Sequence, residues 1–174
     1  EPINRERMTA FSEARVREVV RNKRFGQQHY EGTPVGIDEM LPDVRSALDN
    51  LMSSPRLEWL MNDAVRFAAD WIIEPSNYGE TRINGLKAYC KVDFLVPMED
   101  ELHILDWKTG RKDVQKHRRQ LIGYAGWARQ ELEPEFGAVI PIVVYLLPEY
   151  EEYVVELSEF EMESFSKTVA EQAG

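Results

Sequence analysis

The chain has 174 residues, 43% hydrophobic and 30% charged, enough for one domain with a real core and too apolar for wholesale disorder. A formal net charge of −10 argues against a protein that coats nucleic acid through bulk electrostatics. The lone Cys90 excludes an intrachain disulfide and a multi-thiolate zinc or iron–sulfur centre, and fits the cytoplasm or another reducing compartment.

In chain order, the opening "EPINRERMTAF" is too polar for a signal peptide, and no apolar run reaches the roughly 18 residues of a membrane span. The chain begins at Glu1 rather than Met, as a piece of a longer protein would. Residues 11–25 predict a helix, with Ser12 placed to cap it and Val16, Val19 and Val20 on its apolar side. Gly32, Pro34 and Gly36 break the pattern. Residues 40–53 predict a second helix, with Leu41, Val44, Leu48 and Leu51 in one stripe and Pro42 near its start. After Pro55 comes a further helix, whose last part, Phe67–Glu74, is expected to open the sheet as a strand.

Residues 86–96 and 102–108 predict two strands, joined by the polar turn at 97–101 into an antiparallel hairpin. Residues 113–132 predict a long amphipathic helix striped by Leu121, Ala125, Ala128 and Leu132. "GAVIPIVVYLL" reads as a buried strand and "EYVVELS" as a short one. Ser158 and Glu161 form a capping box for a final helix. The sum is an α/β chain, one mixed sheet flanked by helices. Its 174 residues read as one domain, mainly helical over 1–66, with the sheet core over 67–174.

The charge is uneven. Lys108–Arg119 holds six basic residues against one Asp, whereas residues 149–165 hold seven Glu. A locally basic groove on an acidic body is one reading; solvated helix faces are the other.

The hairpin carries the chemistry. If it turns about Glu99 and Asp100, Asp93 faces Asp106, with the two Cβ atoms roughly 5 Å apart on one face. Lys108 shares that face by strand alternation, while Trp107 turns the other way with Leu105, Val92 and Phe94, toward a core. A slip of one residue separates the aspartates. Like charges directly opposite repel, and a divalent cation such as Mg²⁺ relieves them through carboxylate oxygens and water. The Trp107 carbonyl is a further candidate ligand, and Lys108 is placed to hold an attacking water or steady a pentavalent phosphorus. On the following helix Gln120 and Tyr124, one turn apart, share a face suited to phosphate or base contacts. The plainer alternative is a polar, solvent-facing sheet surface with a half-buried tyrosine behind it.

Taken together, "VDFLV", "ILDWKTG" and "QLIGYA" resemble the PD-(D/E)XK nuclease superfamily, in its RecB-like, Cas4-related exonuclease branch. The resemblance covers residues 67–172, more loosely the N-terminus. It implies a restriction-endonuclease-like core with a central mixed β-sheet flanked by α-helices, and Mg²⁺- or Mn²⁺-dependent hydrolysis of DNA. Asp93 matches the second-motif aspartate, Asp106 and Lys108 the acid and lysine of the third, and Gln120 and Tyr124 the helix motif. Glu74, with Glu80 as a rival, falls where the first strand's glutamate is expected. His29 follows Gly26 one residue short of the branch's metal-binding histidine spacing, so it is either a metal ligand or an ordinary histidine. His103 and His117 read as structural or solvated. Members with an iron–sulfur cluster use four cysteines; with Cys90 alone no such cluster is expected.

The expected mechanism is hydrolysis by one activated water. Asp93, Asp106, the Trp107 carbonyl and Glu74 or His29 surround the metal, Lys108 positions the water, and Arg111, Lys112, Lys116 and Arg119 seat the DNA backbone. Exonuclease action on ends or single strands follows from the resemblance alone. Two alternatives stay open: a DNA-binding or scaffold module with weak or no catalysis, and the nuclease part of a larger helicase–nuclease complex, whose partner would explain the acidic surface.

Overall fold

The computed structural model describes residues 4–21, 37–73, 81–83, 86–88, 92–132 and 137–158. The helices are α1 (Arg5–Arg21), α2 (Ile37–Met52), α3 (Pro55–Asn62) and α4 (Val114–Glu131), with a 3₁₀ helix over Ala64–Asp70. The strands are β1 (Ile72–Ile73), β2 (Thr81–Ile83), β3 (Leu86–Ala88), β4 (Phe94–Pro97), β5 (Glu101–Lys108), β6 (Ala138–Tyr145) and β7 (Glu151–Val154). Five strands make a mixed sheet in the order β1-β4-β5-β6-β7, and β2 pairs with β3 apart from it. Among the described residues β5 and β6 are the one parallel pair, a pairing that needs a crossover, and α4 supplies it.

Alternation along the central strands fills both faces. Val143 and Tyr145 join Leu95, Leu102 and Ile104 beneath Leu121, Ala125, Trp127 and Ala128 of α4. Ile142 and Val144 join Phe94, Val96 and Leu105 on the other side, against Ala47 of α2, Leu60 of α3 and Ala64. Each such Leu, Ile or Phe contributes roughly 1.5–3 kcal/mol by leaving water. A sheet covered on both faces reads as a continuous apolar run, which is how β6 stands out in the sequence.

Helix starts follow local chemistry. The Ser54 hydroxyl accepts from the Leu57 N–H at 3.1 Å, with Pro55 filling the first helical position of α3. The Asp113 carboxylate accepts from the Lys116 N–H at 3.0 Å and starts α4. Pro141, inside β6, is tolerated because of direction. Its carbonyl accepts from Val155 N–H at 2.8 Å, so its missing N–H also faces β7, beyond that strand's last residue, Val154.

Several expectations are corrected. The helix expected from Ser12 begins at Arg5, so Ser12 lies inside it and caps nothing. Pro42 lies inside α2, which starts at Ile37, rather than near its start. Over Phe67–Ile73 only Ile72 and Ile73 are strand, the preceding turns being 3₁₀ helix. The single strand expected over 86–96 is two strands in different sheets, β3 and β4. Val92 packs with the α4-side core rather than with Phe94 and Leu105, since it precedes β4 and strand alternation does not bind it. The final helix expected from Ser158, and Cys90, lie outside the described residues. No helix among the described residues is long and apolar enough to cross a membrane.

Candidate active site

Strands β4 and β5 pair in the register that brings the aspartates together. Phe94 faces Leu105 and Leu95 faces Ile104, so one step beyond the end of β4 Asp93 comes opposite Asp106. At that end β4 no longer offers a backbone partner to β5. The Asp93 side chain fills the place: the Trp107 N–H donates to its Oδ2 at 3.0 Å. Odd-numbered backbone groups of β5 face β4, as the Met98 N–H donating to the Glu101 carbonyl at 2.8 Å also records. The Lys108 carbonyl faces β6 and accepts from Leu146 N–H at 2.8 Å. The Trp107 carbonyl, which shares the direction of its own N–H, therefore points to the Asp93 side.

Asp106 is only 1% exposed. Lys108 Nζ lies 2.7 Å from its Oδ2, an ionic contact rather than an aligned hydrogen bond, and Oδ2 is buried without an aligned donor. Burial pushes the Asp106 carboxyl up to about 6; Lys108 pulls it back, and the neighbouring Asp93 charge pushes it up again. Lys108 Nζ also donates to Gln120 Oε1 at 3.0 Å, and Gln120 Nε2 contacts the Tyr124 hydroxyl at 2.5 Å. Asp106, Lys108, Gln120 and Tyr124 are thus one continuous polar chain from β5 to α4, with Asp93 beside its start.

The remaining predicted residues divide. Arg111, Lys116 and Arg119 are exposed around the start of α4. Lys112 is exposed too, but its Nζ bonds Glu151 Oε2 at 2.5 Å and the Tyr153 hydroxyl at 2.8 Å, so its charge is turned to β7 rather than offered freely to a phosphate. Glu74, Glu80 and His29 lie outside the described residues. Among the described residues no group of three or more His, Cys, Asp or Glu is placed to hold a metal ion. The oxygen donors present (two carboxylates and a carbonyl, one carboxylate oxygen buried without an aligned donor) fit a hard divalent cation in kind and are few in number.

Two further residues stand on this face, Tyr145, which the sequence did not single out, and His117, read there as structural or solvated. Tyr145, 1% exposed, lies beside Lys108 in the β5–β6 register, and its hydroxyl shares a 2.8 Å hydrogen bond with His117 Nδ1. His117 is buried rather than solvated, with its pKa lowered by burial and by the charge of Lys108. The signal was present in the spacing: His117 precedes Gln120 by three residues and Tyr124 by seven, which is one helix face. His103 sits on the opposite face, against the Trp59 ring with centroids 4.8 Å apart, as strand parity requires.

No family model and no curated protein matches this chain. Among solved structures, that of SSO0001 is similar over 94% of this chain and 87% of its own, at 13% identity and a TM-score of 0.39. A likeness that distant decides neither the fold family nor the activity.

Proposed function

We propose that this face is the site of a divalent-metal-dependent nuclease with a restriction-endonuclease-like core of the PD-(D/E)XK kind, hydrolysing DNA phosphodiesters. The observation that carries the reading is the β4–β5 register, which sets Asp93 against Asp106 with Lys108 tied onward to Gln120 and Tyr124. Two facing carboxylates, one of them buried, destabilise a strand pair, and such an arrangement is worth its destabilisation where charge is handled.

Asp93, Asp106 and the Trp107 carbonyl would hold Mg²⁺ or Mn²⁺, which when bound supplies a Lewis acid for the phosphate and a more acidic water. Asp106 must be ionised for this, and Lys108 favours that form against burial. Lys108 is itself held between Asp106 and Gln120, so its ammonium is aimed before substrate arrives. Gln120 is fixed in turn by Tyr124. Arg111 and Lys116 present charge for the DNA backbone, a contact that positions without reading sequence.

The test is cleavage of end-labelled DNA by the purified chain with Mn²⁺ or Mg²⁺. Activity should stop with EDTA and disappear in Asp106→Ala; an undiminished rate in that variant overturns the assignment.

One observation favours a second reading. Among the described residues the acids number two, short of a ligand group, and Lys108 already closes on Asp106. That combination suits a DNA-binding or scaffold module with little catalysis, or the nuclease part of a helicase–nuclease assembly that is completed by its partner. The same assay separates them: binding of DNA in EDTA without cleavage under any divalent ion supports the module.

A further inference from the structure

Residues 111–117, at the start of α4, line an open basin of about 620 Å³ to which Arg111, Lys112, Lys116 and His117 contribute polar groups. Two of its neighbouring charges are already engaged. Lys112 is turned to Glu151 and Tyr153, and the Asp113 carboxylate caps the Lys116 N–H. Arg111 and Lys116 are left as its exposed cations, and His117 as its buried polar floor.

The hydrogen bond beneath His117 engages Nδ1 and leaves Nε2 as the other ring nitrogen. Tyr145 is 1% exposed and its hydroxyl meets Nδ1 at 2.8 Å, a pair in which either partner can donate. When the hydroxyl donates to Nδ1, a neutral imidazole carries its hydrogen on Nε2. Nε2 makes no hydrogen bond with the described residues and is not among the atoms sealed from solvent. In that tautomer Nε2 is a neutral N–H donor on a residue that lines the basin. Tyr145 neighbours Lys108 in the strand register, so this donor stands beside the carboxylate–lysine site rather than remote from it.

We infer that His117 is a binding residue for a nucleic-acid backbone phosphate beside the Asp93–Asp106–Lys108 site. Nε2–H donates to a phosphate oxygen, Arg111 and Lys116 balance its charge, and Tyr145 sets the tautomer. The inference rests on the nucleic-acid reading of the neighbouring site but not on its catalytic competence.

The experiment uses the full chain in EDTA, so that neither metal nor cleavage enters, with fluorescein-labelled tetrathymidylate followed by anisotropy. His117→Ala should weaken binding about tenfold, the scale of one hydrogen bond to a charged group. His117→Gln, whose amide N–H falls near the place of Nε2–H, should stay within about threefold of the native chain. Imidazole ¹⁵N spectra should show the Nε2–H tautomer, lost as the single form in Tyr145→Phe. The His117 signals should move on adding unlabelled tetrathymidylate and stay still on adding thymidine.

A folded His117→Ala protein that binds as tightly as the native chain overturns the proposal. So do imidazole signals that ignore the oligonucleotide, or that respond equally to inorganic phosphate, which would mark a generic anion pocket. If His117→Ala does not fold, His117→Gln and the native-chain spectra decide. A responding His117 in a protein that never cleaves DNA upholds this proposal and removes the nuclease reading. Cleavage by a protein whose His117 is unresponsive does the reverse.

Discussion

Strand β5 carries two buried polar side chains three residues apart, on opposite faces of the sheet, and they have little in common beyond burial. Asp106 is 1% exposed and His103 8%, and each has one buried atom without a hydrogen-bond donor or acceptor aligned to it, Oδ2 and Nδ1 respectively. Around His103 charge is closed off in opposite-sign pairs. Its Nε2 meets Glu101 Oε2 at 2.9 Å, two residues away on the same strand. The nearby Arg56 guanidinium lies over the Trp59 ring and is matched to Glu152 by two contacts of 2.9 and 3.0 Å, while the Tyr150 hydroxyl donates to the same carboxylate at 2.6 Å. Around Asp106 the partners arrive from separate segments: Asp93 from the residue before β4, Lys108 from the end of β5, and Gln120 with Tyr124 from α4. A buried atom without an aligned hydrogen bond is thus common to both faces. What distinguishes the candidate site is that two of its converging charges, Asp93 and Asp106, are alike and repel, whereas the charges beside His103 stand in opposite-sign pairs.

The largest expected effect breaks the comparison outright. Asp106→Ala should lower Mn²⁺-dependent cleavage at least about 10³-fold, whereas His103→Ala should leave it within about threefold. Equal losses from the two, measured in single-turnover cleavage, would mean that burial alone and not the polar chain governs activity.

The next effect concerns pH and runs in opposite directions on the two faces. Asp106 has its carboxyl raised from 3.8 to about 6, so between those values the folded chain holds more protons than the unfolded one. Stability from this group therefore falls as pH rises through that window, by roughly 3 kcal/mol in all. Asp106→Asn should in consequence raise Tm at pH 7–8, with the gain shrinking toward pH 4, although it abolishes cleavage. His103 is pushed the other way, chiefly by burial, against the pull of Glu101. Its neutral form belongs to the fold, so its contribution is present above 6.5 and is lost as pH falls through its depressed value. Thermal melts of Asp106→Asn and His103→Gln across pH 4–8 should show these opposed slopes; parallel slopes would contradict the assignment of the two environments.

A smaller effect sharpens the contrast from the other side. Arg56→Ala should lower stability by about 2 kcal/mol, because it leaves the partly buried Glu152 without its cation, and should not change cleavage. Denaturant midpoints and the cleavage assay read the two halves of that statement. The smallest effect is for Gln120→Ala, which should slow cleavage about tenfold through a less well-aimed Lys108, with little change in Tm. No change in rate would detach α4 from the site.

The parts of the molecule that were legible in the sequence are those governed by period and register. The turn at Glu99 and Asp100 fixed the facing pair of aspartates, because a tight connection leaves few registers open and the apolar face of β4 and β5 excludes a slip. The stripe of Leu121, Ala125 and Ala128 placed α4, and unbroken hydrophobicity marked β6 as a buried strand. The division of 86–96 into two strands was not legible, since β-rich residues look alike whichever sheet they join. Nor was Tyr145, whose place beside Lys108 depends on a parallel pairing across a helical crossover, which no local spacing encodes. Lys112 read as free charge because its partner Glu151 lies far along the chain, on β7.

Pro141 bears on how molecules of this kind coexist. Among the described residues, the first part of β6, Ala138–Ile140, pairs with β5 and not with β7, and there Val139 turns its backbone N–H and C=O to the β7 side. Unpaired strand backbone can template pairing with another chain. The missing N–H at Pro141 faces that same side, where the β7 ladder ends, and interrupts the donor series between the paired and unpaired stretches. A strand from a neighbouring molecule that docked along Ala138–Ile140 would reach a gap rather than a continuous ladder. The residue that looks least suited to an interior strand thus withholds a donor where the β7 ladder ends.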